Sequence, residues 1–478
     1  MEQIKDRFKQ LGLILSEILL PHAGINPEKW AVIACDQYTQ DREYWEKVKS
    51  SVKGEPSTMH LIYPEVFLHD ENREQKIKDI HRQMEEFLAK GVFAEARTGC
   101  VYVERNTLHN ANRRGLVIAV DLEHYDWRPG AQRLIRCTEG TVAERLPLRM
   151  DIRRNASLET SHVLLLIDDE QDRLLPTLAE RVKSAAPAYS GRLMTGSGDI
   201  SGWFVDSTDD WDFIAAELEG LAKRALTCYS SAGTEKVTAN AGSANAEEPF
   251  LFAVGDGNHS LATAKEIWEE YKRNHPAENL PGSNPGDGLP IHPCRYALVE
   301  IENIYDPAIK FEPIHRVMFG MPAAEAIELL SRLPGFSSRR VSGRGELTQL
   351  VKEQTGKNRL GLIANGTTGS AAGGKEITCT LIESSASGLI TAYLQPLLDS
   401  WLETQAGTDS SIDYIHGEDE LFRLAAAPQG AVGLLLPPIN KSGFFETIAR
   451  GGPLPRKSFS MGEADEKRFY LECRKIID

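Results

Sequence analysis

The segment 250–274 constrains the fold more than any other part of the sequence. It begins with the apolar run FLFAV, passes through Gly255-Asp256-Gly257, and continues directly into an amphipathic helix pattern. Glycine permits positive φ and a close approach of the backbone to a ligand. The first N–H groups of a helix lack intrahelical partners and lie at the positive end of its dipole, so they bind phosphate or carboxylate readily. The sequence therefore predicts a strand–turn–helix element with an anion-binding turn.

The side chains of this turn suit catalysis as well as binding. Asp256 can hold a divalent cation or accept a hydroxyl proton, and His259 can donate to an anion or shuttle a proton. Gly257, Asn258 and Ser260 would present their N–H groups to a phosphate. The alternative is an ordinary helix start in which Ser260 or Asn258 is the cap and His259 is a surface residue. The turn matches neither the Walker loop nor the G-x-G-x-x-G fingerprint, and spacing alone leaves both interpretations open.

Helix and strand patterns alternate along the rest of the chain. The apolar spacing in 72–90 predicts a helix, and the β-branched runs 99–108 and 113–123 predict a hairpin. Further helices are predicted at 39–48, 172–187, 209–227, 323–333, 346–354 and 387–403, and further strands at 29–34, 161–167, 295–304, 359–365, 376–382 and 431–437. The predicted fold class is α/β or α+β, with mixed sheets and flanking helices.

A chain of 478 residues is expected to form two or three domains. We expect an N-terminal α/β region at 1–228, an exposed insertion loop at 229–248, and a central strand–turn–helix–strand at 249–310 that completes the first domain. The region 311–478 is expected to form a C-terminal α/β part that contributes to the same site.

Charge and composition exclude several classes of protein. The formal net charge is -15, and no long run of Lys or Arg occurs, which disfavours nucleic-acid binding. The seven cysteines are scattered without C-x-x-C spacing, which indicates buried thiols in a reducing compartment. No signal peptide or membrane-length apolar stretch is evident, so a cytoplasmic location without membrane association is expected. A homo-oligomer is compatible with the sequence.

Five further clusters could contribute to a site. His315 and Arg316 are adjacent and could recognise an anion together, although exposed basic pairs are common. Lys457 follows a segment that begins with Gly451-Gly452-Pro453, and such a segment suits either an anion site or an exposed turn. Asp36 at a strand end and Glu139 close to a cation are further candidate catalytic residues. Tyr38, two residues after Asp36, and His416, at the end of a near-alternating segment, are candidate substrate contacts.

The order of these motifs resembles the bacterial and archaeal family known as domain of unknown function 1015. That family typically carries an early Tyr-Asp, a central D-G-H-H-R turn, then P-T-H-R, Y-x-H and P-x-K-S. The corresponding residues here are Asp36, Asp256 to Ser260, Pro313 to Arg316, Tyr414 to His416, and Pro455-Arg456-Lys457-Ser458. The resemblance covers essentially the whole chain, and it implies one composite site.

Two departures from the family pattern bear on function. Asn258 and Ser260 replace the usual His and Arg of the central turn, so a phosphate would depend on backbone N–H groups, Ser260, and cations elsewhere such as Arg316 and Lys457. Around Arg136 to Glu139 the family often has H-E-x-T, whereas here only an acid and a threonine remain, in altered order.

The central turn is also similar to the G-x-H-R signature of the ParB/sulfiredoxin-like fold, whose members include kinases of free serine. This likeness implies a small-molecule phosphotransferase that uses a nucleotide with Mg²⁺, by analogy. The alternative is a non-catalytic protein that binds a nucleotide or anion at the same turn. A partition-type nucleic-acid-binding protein is disfavoured by the acidic charge balance.

Overall fold

A computed structural model describes most of the chain in two compact units. Unit 1 comprises Met1–Ile309 with Gly462–Asp478, and unit 2 comprises Lys310–Met461. The sequence-based division kept 311–478 in one region, whereas the last residues cluster with the first unit. The described residues are 1–39, 41–110, 112–229, 248–275, 292–353, 356–365, 377–386, 388–427, 431–455, 457–462 and 466–477.

Unit 1 is built on a large mixed sheet. Its strands are β1 to β12 and, after unit 2 in the chain, β21 and β22; in order these are Leu13–Ile14, Ser16–Ile18, Val32–Ile33, Arg97–Asn106, Arg113–Asp121, Ile135–Cys137, Leu158–Thr160, Val163–Ile167, Tyr189–Arg192, Asp199–Val205, Phe252–Asp256, Tyr296–Asn303, Phe469–Tyr470 and Cys473–Lys475. Its helices α1 to α8 are Glu2–Gln10, Pro27–Trp30, Arg42–Ser51, Arg73–Ala89, Leu146–Arg153, Leu174–Val182, Thr208–Tyr229 and Asn258–Asn274.

The main sheet has the order β6-β11-β8-β12-β5-β4-β10-β9, and β1 and β2 pair with β5 and β4. Strands β6 and β11 are parallel, as are β8 and β12, whereas β11 and β8 are antiparallel. The carboxyl ends of β6 and β11 and the start of β8 therefore meet at one sheet edge. Two short pairs, β21 with β3 and β22 with β7, attach the C-terminal segment to unit 1.

Successive side chains in the central strands face opposite sides of this sheet, which creates two cores. Tyr102 belongs to the core that also contains residues of α1, α6, α7 and α8. Its neighbours Val101 and Val103 belong to the core that contains residues of α2, α3, α4 and the C-terminal segment. The sheet is thus covered by helices on both faces.

Unit 2 is a six-stranded antiparallel sheet flanked by helices. Strands β13 to β20 are Phe311–Pro313, His315–Phe319, Ser337–Val341, Asn358–Asn365, Ile377–Ser384, Ser411–Ile415, Val432–Leu435 and Phe459–Met461. Helices α9 to α13 are Ala323–Leu330, Arg344–Lys352, Thr391–Thr404, Glu418–Ala425 and Phe444–Gly451. The sheet order is β15-β17-β16-β19-β14-β18, and β13 pairs separately with β20.

The predicted mixed α/β class is confirmed, as are the hairpin of β4 with β5 and the element β11–turn–α8. The strand predicted at 29–34 is shorter, because Asn26 and Pro27 start a helical turn and only Val32–Ile33 pairs as a strand. Most of the insertion loop predicted at 229–248 lies outside the described residues. Among the residues that the structure describes, no helix combines the length and apolar character needed to cross a bilayer.

A buried network of ionic side chains crosses the middle of unit 1. Arg105 contacts Glu300 at 3.0 Å and Glu302 at 2.7 Å, and Arg113 holds both oxygens of Glu302 at 2.7 and 2.8 Å. Arg468, from the C-terminal segment, contacts Glu300 at 3.0 Å and also pairs with Glu472. All six side chains are almost completely buried. Removing one member would leave a buried charge without compensation.

We therefore expect Arg113→Met to destabilise unit 1 by about 3–5 kcal/mol. Urea denaturation followed by tryptophan fluorescence measures this, because six of the seven tryptophans lie in unit 1. The control is Arg82→Met, which removes an exposed ion pair with Asp79 and should leave the midpoint unchanged. Equal, small effects of the two substitutions would contradict a structural role for the network.

Candidate functional site

The predicted turn lies where β11 ends and α8 begins. Gly257 is the N-cap of α8 with φ of +81°, and no side chain caps the helix. A Cβ at this position would lie 3.0 Å from the ring of His162 and 3.2 Å from the Cα of Val163. Glycine is therefore required both by the backbone conformation and by the close packing against the start of β8.

The capping interpretation of this turn is wrong, because neither Asn258 nor Ser260 caps α8. The Oδ1 atom of Asn258 is buried without a hydrogen-bond partner in the described part of the chain. In the described part of the chain, this 17-residue helix thus begins without a side-chain hydrogen bond from its N-cap residue. Such an end attracts an anion.

Asp256 is paired with a lysine that the sequence analysis did not select. Its Oδ2 lies 3.3 Å from Nζ of Lys467, while its Oδ1 accepts the N–H of Gly257 at 2.9 Å. The Lys467 side chain is only 10% exposed and that of Asp256 is 27% exposed. One carboxylate and one ammonium therefore lie beside the uncapped helix start.

Asp36 contacts His162, the residue immediately before β8. Asp36 Oδ2 lies 3.5 Å from His162 Nε2, and Asp36 Oδ1 accepts a hydrogen bond from Gln37 at 3.0 Å. On the other side of the ring, His162 Nδ1 is hydrogen-bonded to the hydroxyl of Tyr470, which also accepts the N–H of Cys35 at 2.9 Å. Asp36, His162 and Tyr470 thus form a continuous chain of polar contacts.

Burial and neighbouring charges shift the pKa values of Asp36 and His162 in opposite directions. Burial would raise the pKa of Asp36, but attraction to His162 lowers it below its usual range, with a smaller contribution from Lys467. Burial would lower the pKa of His162, yet Asp36 raises it well above its usual value. The pKa of Tyr470 is raised, mainly by burial. At neutral pH this places a carboxylate, an imidazolium and a neutral phenol next to the turn.

The loop after β6 packs on the same turn. Val142 donates its N–H to Nε2 of His259 at 3.2 Å, which assigns the ring proton of a neutral His259 to Nδ1. Thr138 donates to the carbonyl of Val254 at 2.6 Å, which fixes this loop against the end of β11. Glu139, predicted as catalytic, follows Thr138 at the sheet edge where β11 delivers Asp256.

A pocket of about 160 Å³ lies beside this edge, and we call it the apolar pocket. Ser260 and Thr263 of α8, together with Cys35, His162 and Tyr470, form its polar side. The remaining wall combines hydrophobic side chains with Tyr63, Thr160 and four charged residues. The hydrophobic members are Leu61, Ile62, Leu68, Met84, Ile152, Ala156 and Leu158, and the charged ones are Glu65, Arg149, Arg153 and Glu159.

His315 and Arg316, which were predicted to recognise an anion together, lie in unit 2, and their side chains do not lie side by side there. His315 and Arg316 are successive residues of β14, so they face opposite sides of the sheet, and both are buried. His315 accepts the N–H of Leu436 at 3.1 Å, and burial lowers its pKa to about 4. Arg316 donates to Gln395 and to the carbonyl of Lys457, both at 3.0 Å.

The other predicted residues occupy separate positions. Lys457 has φ of +57°, and its Nζ lies 5.0 Å from the ring centre of Tyr414. His416 is an exposed residue after β18, and Arg456 lies outside the described residues. In unit 1, the ring of Tyr38 stacks on Tyr44 with centres 4.0 Å apart. The shared role of both units in one site stays a prediction.

The sequence analysis missed three residues of the unit 1 site: His162, Lys467 and Tyr470. His162 is the second residue of the predicted strand 161–167, whose apolar pattern gave it no chemical signal. Lys467 and Tyr470 lie in the last part of the chain, where no element was predicted. Across the described ranges, no three His, Cys, Asp or Glu side chains are grouped in a way that could hold a metal ion.

Solved structures with partial likeness to this chain were found. A conserved hypothetical protein from Pyrococcus furiosus has 9% identity and a TM-score of 0.33, covering 76% of this chain and 95% of its own. A free serine kinase in complex with AMP has 9% identity and a TM-score of 0.35, covering 76% and 91%. SbnI with C-terminal truncation from Staphylococcus aureus has 9% identity and a TM-score of 0.33, covering 72% and 83%. Likenesses at these scores carry no argument about this chain.

The sequence comparisons give a firmer result. No curated protein sequence matches the chain. A family model described as "Protein of unknown function (DUF1015)" matches residues 19–387, which is more than half of the sequence and includes the unit 1 residues Asp36, His162 and Asp256. The resemblance inferred from the ordered motifs is confirmed, and the chain belongs to the DUF1015 family.

Proposed function

We propose that this protein is a phosphotransferase that moves a phosphate group from a nucleotide to the hydroxyl group of a small molecule. The observation that carries the proposal is the uncapped start of α8, which lies beside Lys467 and packs against His162. Phosphoryl transfer needs positioning and positive electrostatics more than covalent chemistry, and this edge supplies both.

The phosphate would be held by the backbone N–H groups of Asn258, His259 and Ser260 at the start of α8. Lys467 and the protonated His162 add two positive charges, which replace the arginine that the family usually has at position 260. Lys457 and Arg316 of unit 2 were the expected substitutes. Arg316 is fully buried and donates to Gln395 and to the carbonyl of Lys457. Lys467 and His162 are also paired, with Asp256 and Asp36, but Lys467 lies beside the start of α8 and His162 packs against it, which favours these unit 1 cations.

Asp256 is the proposed general base. It would take the proton of the acceptor hydroxyl as that oxygen bonds to phosphorus and the nucleotide product leaves. Asp36 suits this role less well, because its lowered pKa makes it a weak base. Its proposed role is to keep His162 charged and oriented. Glu139 remains a candidate catalytic residue, and Tyr38 remains a candidate contact for substrate.

Free serine is the first acceptor to test, because of the likeness of the central turn to serine-phosphorylating members of the ParB/sulfiredoxin-like fold. Mg²⁺ would accompany the nucleotide phosphates, since such ions are usually bound by one or two carboxylates and the substrate itself.

Purified protein incubated with ATP or ADP, Mg²⁺ and a panel of hydroxylated compounds that includes serine should yield a phosphorylated product by mass spectrometry. Asp256→Asn should lower the rate at least about 100-fold, because the general base is lost, while nucleotide binding is retained. Asp79→Asn, on the exposed face of α4, is the control and should leave the rate unchanged. Absence of product from the whole panel, or full activity of Asp256→Asn, would overturn the proposal.

A non-catalytic nucleotide- or anion-binding protein is the second candidate. Ser260 in place of the usual arginine favours it, as does the engagement of His259 Nε2 by the N–H of Val142. Tight nucleotide binding without turnover in the same assay would support this candidate over the enzyme.

The stability that His162 and Asp36 contribute to the fold is expected to depend on pH. Its raised pKa means that the stability it contributes is present below the unfolded-state value of about 6.5 and is lost only as pH rises through the higher folded value. Asp36 has a lowered pKa, so its contribution is present above about 3.9 and is lost as pH falls through the folded value. Both charges are therefore present throughout the neutral range.

Removing the Asp36 carboxylate should lower the pKa of His162. In Asp36→Asn, burial lowers the pKa of His162 and only the smaller effect of Cys35 opposes it, so the ring should be neutral at pH 7.5, whereas in the wild type it should stay protonated. Histidine NMR titration measures the ring, and calorimetry with ADP at pH 5.5 and 7.5 measures the consequence. Binding should weaken at the higher pH only in the variant, and identical pH profiles would contradict the assigned role of His162.

A further inference from the structure

The apolar pocket beside the turn restricts what kind of acceptor this site can take. We infer that the acceptor carries an uncharged, apolar group about the size of a benzene ring, which occupies this pocket while its hydroxyl group faces the start of α8. The inference rests on the proposed phosphotransferase function and deepens it by naming the class of acceptor.

The volume of the pocket sets the size of the group. At about 160 Å³, it is close to the roughly 150 Å³ cavity lined by aliphatic and aromatic side chains that accommodates benzene in another protein. Leu61, Ile62, Met84, Ile152, Ala156 and Leu158 line it. A serine side chain would leave most of this apolar wall without contacts.

The charged residues of the wall form ion pairs, while Nε of Arg153 is buried without a hydrogen-bond partner among the described residues. Arg149 pairs with Glu65, and Arg153 contacts Glu159 at 2.6 Å. Glu159 also contacts Arg474 at 2.6 Å. The ammonium and carboxylate groups of a zwitterionic amino acid would lose their contacts with water in this pocket. The charged side chains of the wall are already in ion pairs, so this loss of hydration would be unfavourable.

The position of the pocket connects it to the proposed chemistry. Ser260 belongs both to the pocket wall and to the first turn of α8, and His162 and Tyr470 also line the wall. A group bound in the pocket therefore lies against the same helical turn that would hold the phosphate. An alcohol or phenol with an apolar body meets both requirements.

The test measures binding and transfer separately, with benzyl alcohol and serine as probes. Calorimetry or ligand-observed NMR on the full chain should show benzyl alcohol binding at least tenfold more tightly than serine. Ala156→Val should weaken benzyl alcohol binding at least tenfold by filling the pocket, and ADP binding should stay unchanged. Met84→Ala should instead shift the preference towards the larger 2-naphthalenemethanol, so that the inference does not depend on one variant. Circular dichroism checks that both variants fold.

The outcomes separate this inference from the proposed function. Benzyl alcohol binding that responds to both variants supports the inference even if no phosphate is transferred, in which case only the phosphotransferase proposal fails. Equal or tighter binding of serine overturns the inference, even if serine is phosphorylated. Benzyl alcohol binding that neither variant changes also overturns it, because the ligand would then lie outside the pocket.

Discussion

The contacts of Arg468 are the interaction on which the unit 1 site depends. This side chain is almost completely buried, where it meets Glu300 and Glu472 and donates to the carbonyl of Ser161 at 3.0 Å. A buried guanidinium is tolerated only when it is well paired, so the position of the C-terminal segment is narrowly defined. Lys467 and Tyr470 are close neighbours of Arg468 in sequence, and both reach the turn. Ser161 precedes His162, so the same arginine also holds the start of β8.

The topology of unit 1 explains why distant segments meet at this edge. Strands β6 and β11 end there, and β8 begins there. The short ladder of β21 with β3 brings Tyr470 next to the segment that carries Cys35 and Asp36. Asp256 and His162 therefore lie at strand ends, where the backbone leaves the sheet. Tyr470 belongs to the core on one face of the sheet and reaches His162 from there. Four separate parts of the chain contribute one or two groups each.

The local part of this arrangement was predictable from sequence. The glycines, the apolar run and the amphipathic pattern around Asp256 specify a strand–turn–helix through short-range physics alone. What was not predictable depends on long-range pairing: His162 is defined by its contact with Asp36, and Lys467 by its contact with Asp256. His315 and Arg316 illustrate the opposite error, because adjacency in sequence suggested a pair, whereas strand geometry turns the two side chains to opposite faces. The short strand β3 was overestimated for a similar reason, since hydrophobicity alone did not reveal the helical turn started by Asn26 and Pro27.

The central claim is that the uncapped start of α8 and Lys467 together form a phosphate site. Calorimetric titration of ADP into wild type, Lys467→Met and Lys183→Met at equal ionic strength tests it most directly. Lys183 forms an exposed ion pair with Glu104 and lies outside the site, so its variant controls for the loss of one positive charge. We expect at least a tenfold loss of affinity for Lys467→Met alone, since Asp256 would then face the phosphate without a neutralising partner. Equal affinity of all three proteins, or no binding of ADP to the wild type, would contradict it.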